Sequence, residues 1–212
     1  MLTRHRQSLH SHFAQMIGVD LADGMLQQYR GTANELGLSE TQMMTVQGNL
    51  LLDDVKPTKP ELSHEQLSSF DLVAICMALH HVDDIDLAIK KLAERLRPGG
   101  VLLVIDWATR ADGRTTAAMA ATDTPNNNDN HHHAGGDAVS SGNSTGNGDK
   151  IQPQHPAAHT ISHYSFTKET ILRLFDQAGC GESEFALADQ LSEVPGAQSG
   201  AMQLFFARAT KL

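Results

Sequence analysis

The stretch from Phe70 to Trp107 constrains this chain more than any other. It opens with "FDLVAICMALHHV", a nearly continuous apolar run. Runs of that kind suit a strand in a parallel sheet covered on both faces, where no alternation with polar residues is needed. "DDIDLAIKKLAERL" follows, with acids in its first turn and lysines further on, a charge order that matches the partial charges at the ends of a helix. It offers Leu87, Ile89, Leu92, Ala93 and Leu96 for a buried face. "RPGG" is expected to close that helix, because proline cannot continue it and a glycine can take the left-handed cap conformation. "VLLVIDW" is then a second buried strand. Two strands joined through a helix form the unit of a parallel sheet, and the first of them is expected in the sheet interior.

The same alternation runs through the rest of the chain. "MIGVD" reads as a strand ending on Asp20, and "ADGMLQQYRGTANELGL" as a helix. That helix places Met25, Leu26, Tyr29, Ala33 and Leu36 at spacings of three and four, with Gly37 as terminator. "MMTVQGNLL" is the next strand, and residues 53–69, with Pro57 and Pro60, are loop with a short helix near "SHEQLSS". "HYSFTKETILRLFDQAG" is a late helix with Thr167 as N-cap and Ile171, Leu172 and Phe175 facing the core. "EFALADQL" and "AMQLFFARAT" close the chain as an antiparallel hairpin at the sheet edge. The expectation is an α/β, doubly wound, mostly parallel sheet with an antiparallel last strand.

Between these elements, residues 110–159 change to Asn, Gly, Ser, Thr, Asp and His. Such a stretch cannot bury enough apolar area to offset its backbone entropy, so it is expected to be a disordered insertion within one domain spanning 1–212. At 212 residues and 40% apolar content the chain supports one core. A net charge of −9 and a pI near 5.7 argue against a surface built for phosphate backbones, so no nucleic acid is expected. No run of eighteen apolar residues is present, and "MLTRHRQSLHSHF" lacks the apolar region of a secretory signal while only weakly resembling a basic amphipathic presequence. A cytoplasmic location is expected. Cys76 and Cys180 give neither a disulfide framework nor zinc spacing. His131 to His133 lie in the Asn/Gly stretch without neighbouring support, so no metal site is assigned.

Asp20, at the carboxyl end of a strand, stands where open α/β sheets bind ligands, and its two oxygens could accept both hydroxyls of a ribose. An exposed acid that merely starts a helix would look the same. His80 and His81 invite a role as general base, since imidazole titrates near neutrality.

"GVDLADGML", "FDLVAICMALHHVDD" and "LAERLRPGGVLLVIDW" together resemble the class I S-adenosylmethionine-dependent methyltransferases, particularly the small-molecule group related to the ubiquinone-biosynthesis enzymes. The resemblance covers roughly residues 9–109, more loosely 160–212, and "LRPGG" is its most specific piece. It implies a Rossmann-like fold, S-adenosyl-L-methionine as cofactor, and methyl transfer to a small-molecule acceptor, with protein or lipid quinone acceptors as alternatives. By that resemblance Asp20 would hold the ribose and Leu21 would lie beside the adenine. Asn49, followed by Leu50, stands where the family usually has an acid that accepts from the adenine amino group, a bond an amide oxygen can also accept. Cys76 and Met77 would line the methionine part of the cofactor. "LHH" resembles a motif of strand-end packing more than a dedicated base, so no catalytic residue is assigned. The family also begins with a strand and a glycine-rich loop that this sequence does not show. The expectation is therefore a chain that starts one βα unit late, with its first strand and glycine loop missing and cofactor binding weakened. It belongs either to a working methyltransferase or to a non-catalytic binding or regulatory protein.

Overall fold

The computed structural model describes residues 10–51, 61–109, 160–194 and 201–212. In chain order these form β1 (Met16–Asp20), α1 (Asp23–Glu35), β2 (Met43–Gln47), β3 (Phe70–Cys76), α2 (Ile85–Ala93), β4 (Leu96–Trp107), α3 (Lys168–Gln177), β5 (Cys180–Glu193) and β6 (Ala201–Lys211). Single turns of 3₁₀ helix at Glu65–Leu67 and Leu79–His81 flank β3. The segment expected to be disordered lies outside the described residues. The ends of that excursion meet: Ala108 and Phe166 form a bridge, with Thr109 N–H donating to the Phe166 carbonyl at 2.8 Å and Phe166 N–H to the Trp107 carbonyl at 2.9 Å.

The strands fall into two sheets. β1 and β2 pair in parallel by themselves, and the other four follow the order β3-β4-β6-β5. β3 and β4 are parallel, with Val73 opposite Leu102 and Cys76 opposite Ile105. β6 is antiparallel to both β4 and β5. The closing hairpin and its reversed last strand are as the sequence suggests, with β6 inserted between β4 and β5.

The expectation for β3 needs correction. It pairs with β4 as anticipated, yet among the described residues it is the edge strand of its sheet rather than an interior one. Residues of β1 and β3, among them Ile17, Val19, Leu72 and Ala74, line a shared cavity of about 240 Å³. An apolar run reports that the faces of a strand are covered, and it carries no information on how many neighbours the strand has.

"RPGG" also acts differently from a helix cap. α2 ends at Ala93, and the motif lies within β4. Leu96 pairs with Phe70 and Val101 with Leu72, so the residues between bulge out of the ladder. Gly99 has φ +76°. A Cβ on Gly100 would stand 2.7 Å from the Phe70 carbonyl oxygen, closer than any side chain tolerates, so glycine is what lets β4 approach β3. On α2, Ala88 takes the buried place expected for Leu87, which is exposed.

Two apolar clusters result. The larger lies between the four-stranded sheet and α2 and α3, with Leu102, Val104, Ile171, Phe175 and Phe205 fully buried. The smaller joins Tyr29 and Ala33 of α1 to Met43 of β2, with Met16 and Leu38 beside them. α1 ends as read, at Gly37 with φ +68° and Leu38 N–H bonded to the Ala33 carbonyl at 2.9 Å. The hydroxyl of Thr167 caps α3 by accepting from the Thr170 N–H at 3.2 Å. Among the described residues no helix is long and apolar enough to cross a membrane.

Candidate functional site

The residues singled out by the sequence follow the carboxyl ends of three strands. Asp20 is the last residue of β1. One of its carboxylate oxygens accepts the Ala22 N–H at 2.8 Å, which shapes the turn into α1. The second oxygen takes no hydrogen bond among the described residues. Asp20 therefore performs the helix-start role and keeps one oxygen available to a ligand. The end of β2 is tied to it, since Gly48 N–H donates to the Asp20 carbonyl at 3.1 Å and the Gln47 side-chain amide to the Leu21 carbonyl at 3.0 Å. Leu21 is 65% exposed, a large apolar side chain held at the mouth of the strand ends.

Asn49 follows β2 and accepts the Leu51 N–H on its side-chain oxygen at 2.9 Å, so its acceptor is partly used in holding the loop. Leu50 packs against the larger apolar cluster and lines the cavity between β1 and β3. Cys76 closes β3 as a half-buried thiol that forms no disulfide. Met77 turns the chain there with φ +55°, a strained conformation for a side chain with Cβ, and its N–H is held by the Ile105 carbonyl at 2.8 Å.

The sequence reading missed Asp106. This carboxylate is fully buried at the end of β4. It accepts the Nδ1–H of His80 at 2.8 Å, the Trp107 N–H at 2.8 Å and the His80 backbone N–H at 3.2 Å. Because a carboxylate can only accept, Nδ1 of His80 carries the proton of this bond. The His80 carbonyl in turn accepts the N–H groups of Ser162 and His163 at 2.9 and 3.0 Å. His81, exposed, donates from Nδ1 to the Thr160 carbonyl at 2.9 Å, and the Ser162 hydroxyl donates to the Asp83 carboxylate. "LHH" is thus the clasp that binds residues 160–166 onto the end of β3. An acid inside the apolar run "VLLVIDW" was the available signal, since a buried carboxylate requires donors.

At the opposite end of β3, the carbonyl of Arg95 accepts the Phe70 N–H at 3.0 Å. The Arg95 side chain is only 4% exposed and lines the cavity between β1 and β3. One guanidinium NH₂ donates to the Leu67 carbonyl at 3.2 Å, while Nε–H is buried with no partner among the described residues. Burial holds its pKa below the usual arginine value. Near Asp20, the exposed Asp23 carboxyl is held below the usual aspartate range by hydrogen bonds from Arg30 and Gln27.

Comparison with known proteins bears on this arrangement. The profile of the family described as "Methyltransferase domain" matches residues 2–102. A Schizosaccharomyces pombe protein described as an uncharacterized methyltransferase is 24% identical over 179 residues, covering 84% of this chain and 50% of its own length. The chain thus spans about half the length of the curated relative it matches. Among solved structures, an S-adenosylmethionine-dependent methyltransferase of Methanosarcina mazei covers 98% of this chain and 86% of its own, at 15% identity and a TM-score of 0.55. The Haemonchus contortus phosphoethanolamine N-methyltransferase 2, solved with S-adenosyl-L-methionine, covers 97% of this chain and 45% of its own, also at 15% identity and a TM-score of 0.55. These likenesses show a Rossmann-like α/β fold.

Proposed function

We propose that the chain is a class I S-adenosylmethionine-dependent methyltransferase and takes part in methyl transfer from S-adenosyl-L-methionine to a small-molecule acceptor, a reading supported by its likeness to the methyltransferase family model, to the yeast relative and to solved structures of the fold. The observation that carries the proposal is Asp20, an acid at the end of β1 with one oxygen uncommitted among the described residues, paired with Gln47 at the end of β2. Open α/β sheets bind nucleotide-like ligands at the carboxyl ends of their strands.

The residues present fit the nucleoside half of the cofactor. The free oxygen of Asp20 would accept a ribose hydroxyl, and the exposed side chain of Leu21 would cover the adenine. Asn49 would offer the remaining acceptor capacity of its amide oxygen, with Leu50 backing the loop from the core. Cys76 and Met77 would line the methionine end with a thiol and a thioether, neither of which can charge-pair with a carboxylate. That half of the site needs N–H donors, and a glycine-rich loop following a strand next to β1 would supply them. When bound, the cofactor supplies an electrophilic methyl group, so the protein's contribution is chiefly to hold the acceptor in line and exclude water. His80, locked to Asp106, organises the clasp at the end of β3, with no assigned part in proton transfer.

On this reading, residues 1–212 form one domain carrying 110–159 as an insertion, in a reducing compartment such as the cytoplasm. Calorimetric titration with S-adenosyl-L-methionine tests it. Losing two charge-assisted hydrogen bonds of roughly 1.5–3 kcal/mol each weakens binding about a hundredfold or more, so this chain alone binds feebly. A polypeptide extended by the strand and loop binds, and Asp20→Ala in it weakens binding again. Tight binding by the short chain removes the need for the loop. No binding by the extended polypeptide favours a non-catalytic binding role for the scaffold.

A further inference from the structure

Among the described residues β5 is the outermost strand of its sheet, joined to β6 on one side and to no strand on the other. With 14 residues it is the longest strand described, and it contains no lysine, arginine or proline. Edge strands that stay solitary are usually short or carry lysine or proline, because a row of open backbone N–H and C=O groups invites a further strand. Register shifts between Gly181 and Glu184 and between Leu187 and Leu191 leave residues 184–187 as a regular run between them. Phe185 and Leu187 lie on the same face of that run. Phe185 stacks on Phe205 at 4.9 Å. Leu187 stands directly opposite Phe205, yet Phe205 is fully buried and Leu187 is 50% exposed. The apolar core thus runs out to the rim of the sheet and stops at a half-covered leucine.

We propose that this edge takes a second copy of the same chain, the two β5 strands pairing antiparallel about a two-fold axis at Ala186. Residues opposite one another in an antiparallel pair share a face, so the axis falls on a residue rather than between two, and the choice of residue decides what meets what. An axis at Ala186 sets Phe185 of each copy against Leu187 of the other, two aromatic–aliphatic pairs that carry the core beside Phe205 across the junction. An axis at Leu187 would set Phe185 against Asp189, and one at Phe185 would set Leu187 against Ser183, so either leaves an apolar side chain against a polar one. Charge favours the same register. Glu184, already held by Arg208 at 2.7 and 3.0 Å, falls opposite Ala188. Asp189 falls opposite Ser183 and Glu182 opposite Gln190, residues that can donate to a carboxylate, and no acid faces another. A basic partner segment would suit an edge of uncompensated acids, whereas this order of apolar, acidic and donor residues is complementary to itself.

A contact this narrow lies at the small end of interface sizes, so sedimentation equilibrium of the 212-residue chain, loaded up to about 500 µM, should show a dimer with a dissociation constant of roughly 10–100 µM. Because each copy carries a net charge of −9, added salt tightens the dimer by screening. Leu187→Lys weakens it about tenfold or more, as a lysine on a pairing edge does. Leu191, 48% exposed, lies beyond the second register shift, and Leu191→Lys changes association by less than about twofold. Ala186→Cys gives an independent reading, since its thiols meet at the axis. Mild oxidation of the concentrated variant yields a disulfide-linked pair, and the parent chain, with Cys76 and Cys180, and Leu191→Cys form far less. Amide exchange at residues 185–188 slows about tenfold or more from dilute to concentrated chain, as strand addition requires. A monomer at every concentration overturns the proposal. So does a dimer indifferent to Leu187→Lys or weakened equally by Leu191→Lys, which puts the contact elsewhere on the surface. Slow exchange at residues 185–188 in the dilute monomer overturns it too, by showing that other residues of the same chain cover the edge. Association that loosens with salt overturns it by pointing to attraction between opposite charges. If Leu187→Lys melts lower than the parent by Trp107 fluorescence, the Ala186→Cys crosslink decides, and its absence overturns the two-fold axis. No methyl donor enters these measurements, so they stand apart from the function proposed above.

Discussion

β1, α1 and β2 form a small region, and the four-stranded sheet with α2 and α3 a large one, and the two are built from similar sequence patterns with different results. In β4 the last four residues, Val104 to Trp107, are all buried, and Phe205 of β6 lies between Phe185, stacked at 4.9 Å, and Phe166, edge-on at 6.3 Å. In β1 every residue is only half-buried. β4 is paired on both sides and covered by helices, whereas β1 has one partner and a cavity. An isolated pair of parallel strands is marginal, since each hydrogen-bonded edge must be supported by packing on the faces and by the next strand. Lateral pairing, more than apolar content, separates the two regions.

The strongest way to break this contrast is to cut into each core. Phe205→Ala should cost about 3–5 kcal/mol, and Met43→Ala about 2 kcal/mol because the small region can partly collapse onto the vacated space. Trp107, the single tryptophan, sits in β4 and reports on the large region alone. Denaturant unfolding followed by its fluorescence should shift strongly in the first variant and little in the second. Equal shifts would make the two regions one cooperative unit. Asp106→Ala should cost about 3 kcal/mol, since it strands the Nδ1–H of His80 and two backbone N–H groups. The same fluorescence transition measures it, and a loss under about 1 kcal/mol would show that the clasp tolerates solvent.

Gly100→Ala should cost about 1–3 kcal/mol by pushing β4 away from β3, with amide exchange quickening at Leu72 and Val101 first. Unchanged exchange would mean the bulge has room to spare. Without substitution, amides of β1 and β2 should exchange about tenfold or more faster than those of β4 and β6. Comparable rates would erase the contrast. The smallest effect concerns acids at the surface of each region. Arg208 holds the Glu184 carboxyl below the usual glutamate range, and Arg30, with Gln27, does the same for Asp23. A depressed carboxyl adds stability above its unfolded pKa and loses it as pH falls through the folded value. Glu184→Gln should therefore flatten the acid side of the Trp107 stability profile between roughly pH 5 and 3, and Asp23→Asn should not.

Much of this was legible in the sequence. The positions of α1, α2 and α3, the cap at Thr167, the stop at Gly37 and the reversed last strand follow from local pattern, because caps, glycine conformations and apolar spacing act within a few residues. Asp20 and Cys76 could be placed at strand ends for the same reason. Long-range matters were not legible. The partner of His80 lies 26 residues away, and only folding brings Asp106 under the turn. The glycines of "RPGG" were read as a cap, yet what demands Gly100 is the carbonyl of Phe70 on another strand.

The sequence by itself determined an alternating α/β chain with an acid at the end of its first strand, since those features are written in periodicity and residue type. Only the tertiary structure decided that, among the described residues, β3 is an edge, that β1 pairs in a separate sheet, and that a buried arginine lining the cavity they share has one N–H unbonded. The physical reason is that a strand's faces are specified by its own side chains, whereas its edges consist of backbone that is alike in every sequence. Which edges are satisfied therefore depends on what else the chain brings beside them.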